Sequence, residues 1–356
     1  MIMDRLKAFR STFDENGVDG FLVTGPFNRR YMTGFTGTAG VAVISRDDAA
    51  FVTDFRYTEQ AAGQVKGYRI VEQSGALTDE VAKVIGEMGI TKIGFEQDTL
   101  PYAEYDRFRK AAAGTQFVPV SGVIEKFRMY KTEEEAQVLR EAARIADAAF
   151  GHIVKFIRPG ITELDVSNEL EFFMRRQGAT SSSFDIIVAS GKRSALPHGV
   201  ATDKVIEQGD MITLDYGALY NGYISDITRT VAVGEPPEEL KKIYGIVLEA
   251  QKRALAALKP GMSGIEADAV ARDYIKEHGY GGAFGHSTGH GIGLEVHEGP
   301  ALSFRSDMKL EPGMAVTVEP GIYVPGLGGV RIEDDALITE NGAEVLTSSP
   351  KELIIL

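Results

Sequence analysis

One pattern occurs twice in this sequence, and it constrains the fold more than any other feature. Lys131-Thr132-Glu133-Glu134-Glu135 opens a helical stretch that runs to about Ile157 and stops at Pro159-Gly160, and Thr162 and Asp165 then start a second helix to about Arg176. The same order returns from Glu238 to Leu258, with a stop at Pro260-Gly261 and a further helix from Ser263 to His278. Thr132 and Glu135 have the spacing of a capping box, in which hydroxyl and carboxylate each satisfy a backbone N–H of the first turn. Pro-Gly halts a helix because proline has no N–H to give and glycine accepts the left-handed backbone of a stop. Strand-like runs follow each helix pair, so the chain is expected to hold an internal duplication of two helices plus strands.

The stretch before the first copy has a different character. Apolar Leu6, Phe9 and Phe13 sit at helical spacing in a segment ending near Asn16-Gly17. Strand-like runs at 20–24, 41–44, 49–53 and 92–95 alternate with helical ones at 57–64 and 78–88, which predicts an α/β domain with a partly parallel sheet. Asp54 and Glu59 are isolated acids there and read as surface or capping residues. A boundary falls between Val120 and Arg128, and two domains suit a chain of 356 residues.

Composition narrows the partners. Apolar content of 44% and charged content of 25% belong to a soluble globular protein, and a net charge of −13 argues against nucleic acid or an anionic membrane as partner. There is no cysteine, so disulfides and thiolate metal sites are excluded. Charges at Asp4, Arg5 and Lys7 interrupt any signal-peptide core, and no apolar run nears the roughly 20 residues of a membrane span. A cytoplasmic location is expected.

The residues that carry chemistry lie in the second part. Three of the six histidines, His286, His290 and His297, fall in the glycine-rich stretch Gly285–Glu298, where the backbone can turn their rings toward one point. A phosphate cradle would need a helix after those glycines, and Val296-His297-Glu298-Gly299-Pro300 is no helix start. Asn221-Gly222 signals a two-residue hairpin turn that sets Tyr220 opposite Tyr223 and Gly217 opposite Asp226, with Asp215 diagonal to Asp226 on the same face. Two solvated strand acids would be the plain reading of that pair. Among flanking Leu214, Ile224 and Ile227, however, a bound cation is the simplest relief of their repulsion. Glu319 and Glu333 likewise interrupt apolar strand runs beside Gly- and Pro-rich turns. Asp215, Asp226, His290, Glu319 and Glu333 together supply four negative charges and one imidazole, enough for two divalent ions of the manganese, cobalt, iron or zinc kind, which could activate water for hydrolysis. His152 and His278 lie on helices and read as structural, while Tyr216 and Tyr323 read as packing residues or substrate contacts.

Leu214-Asp215-Tyr216-Gly217, Asp226, Thr288-Gly289-His290-Gly291-Ile292-Gly293, Val318-Glu319-Pro320-Gly321 and Arg331-Ile332-Glu333-Asp334 resemble, in order, the motifs of the pita-bread metallopeptidases. Residues 1–125 resemble the extra N-terminal domain of the proline-specific members, as do Leu196-Pro197-His198-Gly199 and His297-Glu298-Gly299-Pro300 their site motifs. The resemblance implies an α/β (α+β) chain with a creatinase/prolidase-like α/β domain over 1–125 and a pita-bread catalytic domain over 126–356. It implies that Asp215 and Asp226 hold one metal, that His290 and Glu319 hold the other, and that Asp226 and Glu333 are shared. It makes Glu319 the general base, gives His198 and His297 the substrate and the oxyanion, and places His286, Arg331 and Tyr323 around them. The expected activity is hydrolysis of the Xaa-Pro bond in dipeptides or at the N-terminus of short peptides, by a homodimer using two divalent ions, manganese first. A metal-free creatinase-like hydrolase and a non-catalytic module of the same fold are the rivals, and both should lack ligands that this chain retains.

Overall fold

The computed structural model describes residues 2–356. Two compact units divide the chain, one ending at Arg128 and the other running from Met129 to Leu356.

In the first unit a six-stranded sheet has the order Arg69–Glu72, Ala49–Thr53, Val41–Ser45, Gly20–Val23, Lys92–Glu96, Gln116–Val120. Three of its neighbouring pairs are parallel and two antiparallel. The inner strands are buried apolar runs, and Val81, Val84 and Ile85 of the helix Leu77–Glu87 pack with Leu22, Val43, Val52 and Ile93 in one core. The first helix, Ile2–Arg10, stops short of Asn16. The hydroxyls of Ser11 and Thr12 donate back to Ala8 O (2.6 Å) and Phe9 O (2.7 Å), which offers the backbone an alternative to the helical ladder.

In the second unit the repeated pattern becomes a repeated structure. The helices Glu133–Ile153 and Glu163–Arg176 form one pair and Glu238–Ala257 and Gly264–Glu277 the other. Thr132 and Glu135 close their capping box, as do Thr162 with Asp165 and Ser263 with Glu266. Gly160 and Gly261 take φ of 93° and 84°, which only glycine adopts without strain. After each turn the backbone makes matching bonds. Gly160 N donates to Ile206 O and Gly261 N to Leu310 O; Glu163 N donates to Lys204 O and Gly264 N to Met308 O; Leu164 N donates to Thr202 O and Ile265 N to Ser306 O.

The strands that follow carry the carboxylates to equivalent places. Met211–Tyr216 leads to a hairpin, Ala218–Tyr220 with Tyr223–Ile224, and Ala315–Val318 leads to another, Gly321–Val324 with Gly328–Arg331. The Asn221-Gly222 turn forms with Tyr220 opposite Tyr223, and Asp215 is then opposite Thr228 across the strand Ile227–Ala232. Ile212, Leu214 and Tyr216 enter the core beneath the first helix pair, so Asp215 between them faces the other way. Val316 and Val318 enter the core beneath the second pair. Tyr216 is a packing residue, fully buried with its hydroxyl on Ala146 O (3.0 Å).

Candidate active site

The strand faces turned away from the two helix pairs border a cleft of about 610 Å³. Asp215, Asp226, His290, Glu319 and Glu333 line it together with His198, His286, His297 and Arg331. Tyr323 stands one contact behind, with its hydroxyl 2.8 Å from both His286 Nε2 and Arg331 Nη1. The structure thus assembles around one cleft the candidate ligands, the three loop histidines, His198, Arg331 and Tyr323, and leaves Tyr216 in the core.

Local sequence explains how each arrives. His290 is the middle residue of the short strand Gly289–Gly291. A Cβ on Gly289 would meet Thr317 O at 1.9 Å and one on Gly291 would meet Gly299 O at 2.2 Å, so the histidine can sit this deep only between two glycines. The chain continues into the strand Glu298–Leu302 and not into a helix, which removes the phosphate-cradle alternative. His290 Nδ1 lies 3.1 Å from Gly291 O; a carbonyl can only accept, so the proton is on Nδ1 and Nε2 offers its lone pair to the cleft. That Nε2 stands 3.4 Å from Glu319 Oε1 and 3.8 Å from Asp226 Oδ2. Asp226, His290 and Glu333 each present a ligand atom, all within 4.8 Å of one another.

The carboxylates are crowded and largely buried. Asp226, Glu333 and Glu319 are all shifted toward the protonated form, first by burial; the charges of Glu333 and Asp215 then add to the shift of Asp226, and those of Glu319 and Asp215 to the shift of Glu333. Glu319 is pushed up to about 8, with Arg331 opposing the shift and Asp215 adding to it. His290 is pushed down to about 4 by burial and by neighbouring His297, and His286 to about 4 by burial and by Arg331, so both rings are neutral at pH 7. Arg331 is buried, and its Nη2 pairs with Asp215 Oδ2 at 2.5 Å. The remaining oxygens, Asp215 Oδ1 and Asp226 Oδ1, are buried with no hydrogen-bond partner. Unsatisfied buried carboxylate oxygens are costly, and two of them in a cleft that also holds a lone-pair nitrogen fit a site for divalent cations.

Three polar partners of this set carry no mark in the sequence patterns. Thr228 Oγ1 donates to Glu333 Oε2 (2.6 Å), Thr317 Oγ1 lies 3.4 Å from Glu319 Oε1, and Asp335 Oδ2 accepts the N–H of Asp226 (2.9 Å). Each is two residues from a candidate ligand, on the same strand face, and that alternation was the available signal. Phe184, Ile187, Pro197 and Val200 add an apolar wall. His152 bonds Glu169 at 2.6 Å and His278 turns back onto Tyr274 O (2.8 Å), both outside the cleft lining. Among the described residues no helix is long and apolar enough to cross a membrane.

Comparison with known proteins matches these features to a family. Residues 137–340 match metallopeptidase family M24, and residues 5–130 match the creatinase/prolidase N-terminal domain. The chain is 44% identical to an Xaa-Pro dipeptidase of Pyrococcus furiosus over 99% of both chains. Its structure superposes on an Xaa-Pro dipeptidase from Bacillus anthracis with a TM-score of 0.99 at 64% identity, covering 100% of both chains. It superposes on an X-Pro aminopeptidase from Thermotoga maritima with a TM-score of 0.91 at 43% identity, covering 96% of this chain and 98% of that one.

Proposed function

The chain belongs to metallopeptidase family M24, and on that premise we propose that its cleft hydrolyses the Xaa-Pro bond of dipeptides, with the N-terminal Xaa-Pro bond of short peptides as the second substrate class. The observation that carries this reading is the convergence of four carboxylates and the His290 lone pair on one cleft. A metal-free hydrolase would leave Asp215 Oδ1 and Asp226 Oδ1 buried without partners, which favours the metal-dependent reading.

Asp215, Asp226, His290, Glu319 and Glu333 would hold two divalent ions, with manganese ahead of cobalt, zinc and iron. When bound, such ions acidify water and polarise the scissile carbonyl. The chain's own residues do the rest. Glu319, which lines the cleft beside the His290 Nε2 lone pair at 3.4 Å, accepts the proton of the attacking water. His198 and His297 line the cleft and donate to the oxygen on which negative charge develops. Arg331 is held by Asp215, by Thr228 Oγ1 (3.1 Å) and by Tyr323, and Tyr323 in turn donates to His286 Nε2, so these groups fix the carboxylates that face the substrate. The apolar wall excludes water and suits a proline ring, which lacks the N–H that other peptidases engage. The same reading makes the protein a cytoplasmic homodimer.

Rates on Ala-Pro, Ala-Pro-Ala and Ala-Ala test the assignment. Ala-Pro is expected to be cleaved fastest and Ala-Ala not detectably; equal rates on Ala-Pro and Ala-Ala would remove the proline assignment. His198→Ala and His297→Ala are each expected to lower kcat by roughly 10²–10³ with metal content unchanged. Loss of bound metal in either variant would move that histidine into the ligand set.

A further inference from the structure

His198 sits in the loop that leaves the strand Ile187–Ser190, makes a short 3-10 turn at Gly191–Ala195 and returns at Thr202. Behind that loop lies Glu163, the first residue of the helix Glu163–Arg176, with no solvent exposure. Its Oε1 accepts from the N–H and the hydroxyl of Ser190, both at 2.8 Å. Its Oε2 accepts from Thr202 N (3.1 Å), Thr202 Oγ1 (2.8 Å) and the Arg193 guanidinium. One carboxylate thus grips both ends of the loop. Arg193 carries the grip inward, since its Nη2 donates to Val200 O at 2.9 Å, two residues past His198. On the other side of His198, Pro197 O accepts from Arg331 Nη1 at 3.1 Å.

A carboxylate this deeply buried carries a desolvation penalty that only a full set of charge-assisted bonds offsets. The helix does not need it in order to start. Thr162 and Asp165 already form its capping box, and the matching position of the second repeat is Gly264, which makes the equivalent backbone bond and begins a helix of the same length without a carboxylate. Asp268 does a comparable task in that half from one turn further on. Its Oδ1 accepts from Thr288 N and Thr288 Oγ1, both at 2.9 Å, while its partner Arg272 donates to His286 O at 2.7 Å. In each half, then, a buried acid with an arginine grips a loop that bears a cleft histidine.

We propose that Glu163 is a positioning residue for His198, clamping both ends of the Ser190–Thr202 loop and so setting where the imidazole meets the substrate. This rests on the reading of His198 as the group that steadies the substrate. Glu163→Gln keeps the volume but sets an amide N–H₂ against donors and removes the charge opposite Arg193. Its kcat is expected to fall roughly 10- to 100-fold, the order that a misplacement of about 1 Å produces, with metal content unchanged and KM within about threefold. If the effect passes through His198, the same substitution made in a His198→Ala background should change kcat by less than about threefold. An equal loss in both backgrounds, or no loss in the first, overturns the proposal. Should Glu163→Gln fail to fold, Arg193→Gln and Thr202→Val, each removing part of the clamp at a partly exposed position, take its place in the same double-mutant cycle. A loss confined to the His198 background supports the clamp there too, and an equal loss in both backgrounds overturns it. Amide hydrogen exchange gives a readout independent of turnover. Exchange across 191–202 should quicken at least about tenfold in Glu163→Gln while the strand Met211–Tyr216 keeps its protection. If the unaltered enzyme proves inert on every Xaa-Pro dipeptide, the peptidase reading fails, and the exchange measurement alone then decides the clamp, with unchanged loop exchange sinking it.

Discussion

Exhaustive chelation is expected to abolish hydrolysis of Ala-Pro, and added manganese or cobalt to restore it. The reason lies in the charge balance of the cleft. Asp215, Asp226, Glu319 and Glu333 face it against one permanently charged side chain, Arg331, and that guanidinium already serves Asp215. The neighbouring imidazoles of His286 and His290 cannot help, because burial keeps them neutral at pH 7. Without cations the set can lower its repulsion only by taking up protons, and a protonated glutamate cannot act as a base.

The same balance predicts an effect on stability that needs no substrate. An ion that binds the native site and not the unfolded chain stabilises the fold by about 2.7 kcal/mol at a hundredfold excess over its Kd. For a domain of this size that corresponds to a rise in Tm of about 5–10 °C. Calorimetry of chelated protein with and without manganese reads this directly. Full activity after chelation, with no metal found by elemental analysis, would refute the metal-dependent mechanism, and an unchanged Tm would refute tight binding at this site.

What the sequence disclosed, and what it withheld, follows the range of the interactions involved. The Asn221-Gly222 turn was legible because its backbone needs positive φ at both residues, found here at 45° and 79°, and few other pairs tolerate that. The duplicated helices were legible because capping boxes and Pro-Gly stops are local chemistry. The edge strands Arg69–Glu72 and Gln116–Val120 were not, since edges are partly exposed and the second contains Pro119, so neither shows a clean apolar alternation. The helices Pro26–Thr33 and Tyr102–Ala111 stay hidden for a related reason, as both are short and mostly polar.

At the site, the candidate ligands could be picked out by motif, and the register of Asp215 with Asp226 by the hairpin. The environment could not. Arg331 meets Asp215 across 116 residues of chain, and Glu163 reaches Ser190 and Thr202 from a helix that carries no catalytic motif. Burial, which raises Glu319 and lowers His290, belongs to the assembled fold and to no local pattern.

That environment separates two glutamates that look alike in sequence, each closing a short apolar strand. Glu333 is 1% exposed, and one of its oxygens already accepts the Thr228 hydroxyl at 2.6 Å. Glu319 keeps 17% of its side chain exposed, and around it stand His290 Nε2 at 3.4 Å and His286 Nδ1 at 4.0 Å. Both glutamates line the cleft, but Glu319 is the more exposed of the two and has no hydroxyl as close as the one on Glu333, which supports the proposal that Glu319 takes the proton from the attacking water. Glu319→Gln keeps the size and one oxygen but cannot accept that proton. It is expected to fold, to retain at least one metal ion, and to lose roughly 10²–10⁴ in kcat whatever the metal concentration. Glu333→Gln should behave differently, because it removes a buried charge from the cation site and leaves the base intact. Its metal affinity should drop, and excess manganese should recover part of the rate. Measuring kcat against manganese concentration for both variants decides between the roles. If excess manganese rescues Glu319→Gln while Glu333→Gln stays inactive, the base is Glu333 and the two assignments must be exchanged.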